Sequence, residues 1–83
     1  MSEFRKKVYR VTQRIPKGKT MSYKEIARLA GFPRAWRAVG NVLSKNENPR
    51  VPCYRVIRSD GKLGGPKERA KKRLVLLKKE GAL

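Results

Sequence analysis

The sequence predicts a small, mainly α domain with a β wing, and three observations predict it. Apolar residues recur at spacings of three and four in separate stretches along the chain; Gly31 and Pro33 break the middle so that two short helices meet across a tight turn; and Val51–Ile57, rich in β-branched and aromatic residues, supplies a short strand. No repeat or linker divides the 83 residues, so residues 1–83 are expected to form one domain.

The first helix is expected over Glu3–Ile15, with Phe4, Val8, Val11 and Ile15 as its apolar stripe and Pro16 as its stop. After the Pro16–Lys19 loop, Ser22 precedes Tyr23 as an N-cap with Glu25 three residues on, a capping box opening a helix to about Ala30, with Ile26, Leu29 and Ala30 inward. Gly31 ends that helix and Pro33 opens the next, over Arg34–Leu43, in helix-turn-helix fashion. Its packing stripe is Ala35, Ala38, Val39 and Val42, while Arg34, Arg37 and Asn41 share the opposite face. Asn46–Pro52 is a loop, Ser59-Asp60-Gly61 a turn, and the wing's second strand is expected to end near Leu63, before Gly64-Gly65-Pro66. A last helix follows over Lys67–Lys79, with Ala70, Leu74, Val75 and Leu77 toward the core and Gly81 as its stop. Helices followed by a small wing describe a winged helix-turn-helix.

Charge bounds the function. Twenty-three Lys and Arg against six Asp and Glu give a net charge of +17, which on so small a body calls for a polyanionic partner, and nucleic acid is the default. A thermophile's charged surface would carry Glu alongside Lys. No stretch approaches the ~18 to 20 apolar residues of a membrane span, and the start lacks the apolar middle of a secretory signal, so the reading is intracellular, cytoplasmic or nucleoid, with no membrane partner. The absence of histidine removes Ser-His and Cys-His pairs and imidazole metal sites, and a lone cysteine can neither form an internal disulfide nor hold zinc. Neither metal nor cofactor is expected.

Two features carry chemistry. The face bearing Arg34, Arg37 and Asn41, flanked by the small residues Ala35, Ala38 and Gly40, can approach a DNA groove closely; the plain alternative is a solvated helix face. Cys53 follows a proline-stiffened loop beside a basic residue, and a guanidinium such as Arg55 favours the thiolate, which is the attacking form. The plain alternative there is a small buried hydrophobe.

Ser22-Tyr23, the run Ala35-Trp36-Arg37-Ala38-Val39-Gly40-Asn41, Asn46, the block Pro52-Cys53-Tyr54-Arg55-Val56, and Leu76-Leu77-Lys78-Lys79-Glu80-Gly81 together resemble the DNA-binding and active-site domain of the O6-alkylguanine-DNA alkyltransferases, across nearly the whole chain and in the family's order. The family's separate N-terminal domain has no counterpart in these residues. The resemblance implies a single-turnover repair protein that binds double-stranded DNA through the minor groove, flips O6-alkylguanine out of the duplex and moves the alkyl group irreversibly to a cysteine. Carried over by position, Cys53 is the acceptor, Arg37 the finger that fills the vacated base stack, and Tyr23 the residue that crowds the target's phosphate. Asn46 braces the active-site turn, and Glu80 anchors the proton relay. Arg34, Ala38, Asn41 and Arg55 complete the DNA contacts, and Tyr23, Cys53, Val56 and Lys67 the base pocket.

Two positions depart from the family. Tyr54 stands where the family has His, and a phenol with a pKa near 10 is a poor base, although one that donates to Glu80 would preserve a hydrogen-bond chain. Residues 64–69 replace the family's Gly- and Ser-rich loop over the flipped base. A rival reading is therefore a sensor like the alkyltransferase-like proteins, which flip alkylguanine without accepting the alkyl group and recruit other repair, here nucleotide-excision proteins; those usually carry Trp at the acceptor position. A third reading is a winged-helix architectural or regulatory DNA binder with an inert cysteine. The expected state is a monomer, cooperative on DNA in one variant of the reading.

Overall fold

The computed structural model describes residues 2–61, 63 and 67–82, the side chains of residues 67 and 69 excepted. Four helices, one 3₁₀ turn and two short strands follow in the order α1 (Glu3–Gln13), β1 (Met21–Ser22), α2 (Tyr23–Leu29), α3 (Trp36–Ser44), the 3₁₀ turn (Cys53–Arg55), β2 (Val56–Ile57) and α4 (Lys67–Glu80).

Helix α1 starts where Ser2 accepts the Arg5 amide on its hydroxyl at 3.2 Å and ends at Gln13, two residues before the expected stop. Its last turn tightens, with Arg14 and Ile15 donating to the carbonyls of Val11 and Thr12, so Ile15 is buried although it is no longer helical. Thr12 is a core residue that the apolar pattern does not mark. Its hydroxyl donates to the Val8 carbonyl at 2.7 Å, so no polar atom is stranded by its complete burial. The Ser22–Glu25 capping box forms as expected. Gly31, with φ at +91°, closes α2 in a conformation that L side chains rarely adopt, and Phe32 donates back to the Ala27 carbonyl in a Schellman cap.

Helix α3 begins at Trp36, two residues later than expected, because Pro33 and Arg34 belong to the turn after Gly31. Helices α1, α2 and α3 pack on one another around Val8, Ile15, Ile26, Ala27, Ala30, Val39 and Leu43, with Val51 and Val56 added from beyond α3. Fully burying side chains of this size contributes roughly 1.5 to 3 kcal/mol each. Two residues expected inward are placed differently: Leu29 is 51% and Val75 61% exposed, and Ala27, which the pattern does not mark, is a core residue of α2.

The β arrangement differs from a hairpin wing. Pro52 fixes φ and lacks an N–H, so the expected strand over 51–57 breaks there; Cys53–Arg55 coil into the 3₁₀ turn, and only Val56–Ile57 remain extended. These two pair in parallel with Met21–Ser22, in the register Met21–Val56 and Ser22–Ile57. Residues 62 and 64–66, on which the rest of the wing was expected, lie outside the described residues. The sheet ties the start of α2 to the end of the cysteine turn, which sets the distance between the two candidate sites.

Candidate functional site

Cys53 is positioned by two consecutive turns. Asn46 folds residues 46–51 around its amide: Nδ2 donates to the carbonyls of Asn48 and Val51, both at 3.2 Å, and Oδ1 accepts the Asn48 amide at 3.0 Å. Asn48 repeats the device by accepting the Arg50 amide at 2.9 Å. Val51 and Pro52 are buried, and Pro52 (φ −78°, ψ 66°) centres an inverse γ-turn in which the Cys53 amide donates to the Val51 carbonyl at 2.8 Å. The 3₁₀ turn then starts at a cysteine that is free and half-buried. Its thiol lines a cavity of about 250 Å³ whose wall includes Asn46, Tyr54 and, from α4, Lys72, Arg73 and Leu76.

The next two side chains of the turn meet α4. The Tyr54 hydroxyl donates to Glu80 Oε2 at 2.8 Å, and Arg55 grips the same carboxylate from Nε to Oε1 at 2.9 Å and from its terminal nitrogen to Oε2 at 2.5 Å. The other terminal nitrogen of Arg55 donates to the Ile15 carbonyl at 2.9 Å, so one guanidinium joins the end of α1, the cysteine turn and the end of α4. Glu80 sits at a helix C-terminus, where a negative charge faces the unfavourable end of the helix dipole; Arg55 compensates for this. Gly81, with φ at +81°, lets the chain turn immediately after Glu80, with Ala82 donating to the Leu77 carbonyl. The Arg55 hydrogen bonds hold the Glu80 carboxyl at a pKa of about 2 against burial, which opposes ionisation, and Tyr54 assists. Burial and the hydrogen bond to Glu80 push the Tyr54 phenol above its ordinary value despite the Arg55 charge, so it stays protonated at neutral pH.

Arg55, expected to contact DNA, is turned inward with 15% of its side chain exposed, and its charge is shared with Glu80 rather than offered to a phosphate or to the thiol. Among the base-pocket residues, the Val56 side chain is completely buried, so this residue can act only through its backbone; its amide donates to the Cys53 carbonyl. The side chain of Lys67 lies outside the described residues.

The second candidate site is the outer face of α3. Arg34, Arg37 and Asn41 are exposed, and their side chains make no hydrogen bond to any other described residue. Ala38 is half-buried between them. Tyr23, the first residue of α2, packs against the core; a Cβ at Gly40 would sit 3.9 Å from its ring, so α3 approaches the tyrosine closely there. Two neighbours escape sequence reasoning. Lys24 Nζ lies 5.5 Å from the centre of the Trp36 ring, and Trp36 is 39% exposed beside Arg37. The signal was present, an unburied tryptophan on a basic helix, but periodicity alone does not tell an exposed aromatic from a packing one. Tyr23, Lys24 and Trp36 line a cleft together with Arg58 and Asp60, which pair at 3.2 Å. Among the described residues no cluster of His, Cys, Asp and Glu could hold a metal, and no helix is long and apolar enough to cross a membrane.

Fold and site together define a small basic helical domain that presents a cysteine on a braced turn and an exposed cationic helix. Residues 3–82 match the family model described as 6-O-methylguanine DNA methyltransferase, DNA binding domain. The chain is 52% identical over 67 residues to a methylated-DNA–protein-cysteine methyltransferase of Methanosarcina barkeri, an alignment covering 77% of the chain and 41% of that protein. It superposes on the crystal structure of Mycobacterium tuberculosis OGT in complex with DNA with a TM-score of 0.90 at 38% identity, covering 99% of the chain and 52% of OGT. It superposes also on Schizosaccharomyces pombe Atl1 in complex with damaged DNA containing O6-carboxymethylguanine, with a TM-score of 0.83 at 38% identity, covering 98% of the chain and 78% of Atl1. The chain belongs to the O6-methylguanine DNA methyltransferase family of DNA repair proteins and corresponds to its DNA-binding domain. It spans between 22% and 53% of the length of the curated relatives it matches.

Proposed function

We propose that this chain binds duplex DNA through α3, flips O6-alkylguanine and transfers the alkyl group irreversibly to Cys53. The observation that carries the reading is the Cys53 turn: a half-exposed thiol at the rim of a cavity, on backbone fixed by Asn46 and Pro52. In the transfer, the deprotonated sulfur attacks the alkyl carbon bound to O6. An S–C bond forms, the C–O6 bond breaks with its electron pair passing to the guanine, and the base takes a proton from water. Arg37 fills the vacated stack, Tyr23 crowds the flipped nucleotide's phosphate, and Asn46 and Glu80 keep the turn in place. Flipping costs a few kcal/mol, of which a cation inserted into the stack recovers part. The winged-helix description, monomeric action and an intracellular setting belong to the same proposal.

A sensor reading is favoured by one specific observation. Tyr54 is a protonated phenol at neutral pH and Glu80 is already clamped, so neither side chain can accept the thiol's proton, and the turn holds no base. In that reading the chain flips the lesion and marks it for other repair proteins. Intact-protein mass after incubation with duplex DNA carrying a single O6-methylguanine separates the two. The expected result is a gain of one methyl on the wild type and none on Cys53→Ala. Lesion-selective binding with unchanged mass establishes the sensor instead, and equal binding to damaged and undamaged duplex leaves an architectural DNA binder.

A further inference from the structure

Helix α1 carries a second cationic surface, built from residues that neither α3 nor the Cys53 cavity uses. Lys7, Arg10 and Arg14 stand at i, i+3 and i+7, a row roughly 10 Å long, and they rim a groove of about 380 Å³ between α1 and the end of α2. Its floor is apolar: Val11 is half-buried, Ala30 is buried, and Leu29 is 51% exposed. The cations are unspent. Arg10 and Arg14 are exposed and make no hydrogen bond or ion pair with another described residue, and Lys7 rests its ammonium 5.6 Å from the centre of the Phe32 ring. Glu3, the one carboxylate of α1, pairs with none of them, and no carboxylate is among the groove's described lining residues. The groove shares no lining residue with the cleft at Trp36 or with the Cys53 cavity.

The chemistry of the floor decides what fits. A second copy of this chain has no acidic face to offer: its six carboxylates are scattered singly, Asp60 and Glu68 being the nearest two in sequence, and Glu80 is already clamped. A DNA backbone meets the cations but gains nothing from Val11 and Leu29. An acidic amphipathic helix satisfies both, with carboxylates at i, i+3 and i+7 opposite Lys7, Arg10 and Arg14 and an apolar side chain seated on Leu29. We propose that the groove between α1 and α2 docks an acidic amphipathic helix of a partner protein, and that it stays open while α3 holds duplex DNA. The proposal rests on α3 as the duplex face and is the same whether or not Cys53 accepts the alkyl group. The cations steer the encounter and fix the register, and the apolar contact selects a protein over other polyanions.

The probe is a fluorescein-labelled helical peptide of Leu, Glu and Ala, with Leu along one face and Glu flanking it, beside a version with Ala in place of each Leu. Anisotropy is read with the free protein and with the protein carrying one equivalent of undamaged duplex. Wild type is expected to bind the Leu peptide about fivefold more tightly than the Ala peptide of equal charge, with and without duplex, and Leu29→Ser to bring that ratio to about one. Arg10→Glu combined with Arg14→Glu is expected to weaken Leu-peptide binding about tenfold, against no more than about threefold for Lys71→Glu combined with Lys78→Glu, which removes the same charge from exposed positions of α4. Duplex affinity should fall alike in both double variants. Equal affinity for the two peptides, or equal weakening by the two double variants, overturns the inference and leaves α3 as the duplex face. Loss of peptide binding when duplex is added, or a loss of duplex affinity confined to the α1 variant, overturns it together with the assignment of duplex DNA to α3.

Discussion

Two cationic regions of this molecule use arginine in opposite ways. On α3, Arg34 and Arg37 stand in solvent, each without a hydrogen-bond partner among the described residues, and small neighbours keep the helix low around them. At the cysteine turn, Arg55 is drawn inward and spends its donors on Glu80 and on the Ile15 carbonyl. The first arrangement leaves charge available for a partner, and the second turns charge into architecture. In a chain of net charge +17, the number of Lys and Arg residues therefore does not say which of them face nucleic acid; the burial and partners of each guanidinium do.

Replacing one arginine from each region tests that contrast, and Arg37→Ala has the largest expected effect. A side chain that only neutralises a phosphate affects binding and transfer equally, and reduces the dependence of binding on salt by about one phosphate contact. A finger that fills the emptied stack acts after binding. Arg37→Ala is therefore expected to slow transfer from O6-methylguanine duplex by about tenfold to a hundredfold, with duplex affinity reduced by no more than about threefold, as read by single-turnover mass analysis beside a gel shift. Equal losses in both would place Arg37 with the ordinary phosphate contacts and erase the functional difference between it and Arg34.

How far the sequence foretells these regions depends on which interactions hold them. The helices were legible because their signals are local: Ser22 and Glu25 make their capping box within four residues, and Gly31 stops α2 where only a positive φ fits. Residues on α3's outer face were legible by elimination, since Val39 and Leu43 fix the inner face. The cysteine turn was legible as a motif but not as geometry. Strand propensity over Val51–Ile57 was overridden by Pro52 and by the Asn46 hydrogen bonds, and β2 found its partner more than thirty residues back, at Met21–Ser22. The inward turn of Arg55 depends on contacts 25 and 40 residues away in sequence, which no local pattern encodes. Leu29 was misplaced for a related reason: spacing alone assigns it an inward position, whereas Ala27 is the fully buried residue there and Leu29 is half exposed.

The cysteine region has its own internal test at Asn46. Its amide satisfies the carbonyls of Asn48 and Val51, and truncation to alanine leaves the half-buried Val51 contact unmade. Asn46→Ala is expected to lower Tm by roughly 10 °C and to slow transfer in step, without changing the salt dependence of duplex binding. Asn46→Asp keeps the acceptor for the Asn48 amide but loses both donors, so it should behave like alanine; recovery in the aspartate variant would assign the bracing to Oδ1 alone.

The smallest expected effect lies in the Arg55–Glu80–Tyr54 cluster and is visible only in acid. Arg55 lowers the Glu80 carboxyl from 4.5 to about 2, so between those values the unfolded chain binds a proton that the folded chain does not. Stability from this clamp is therefore complete above about pH 5 and is lost as pH falls toward about 2. Glu80→Gln, which keeps size but gives up the charge and one of the two acceptor oxygens, should have a lower Tm than wild type by roughly 5 °C at neutral pH, and the gap should close as the wild type is protonated. The α3 arginines carry no such dependence, since no carboxylate among the described residues pairs with them. A gap that stays constant from neutral pH to about 2 would mean that the clamp is held by shape and not by charge, and Arg55 would then differ from Arg37 only in being covered.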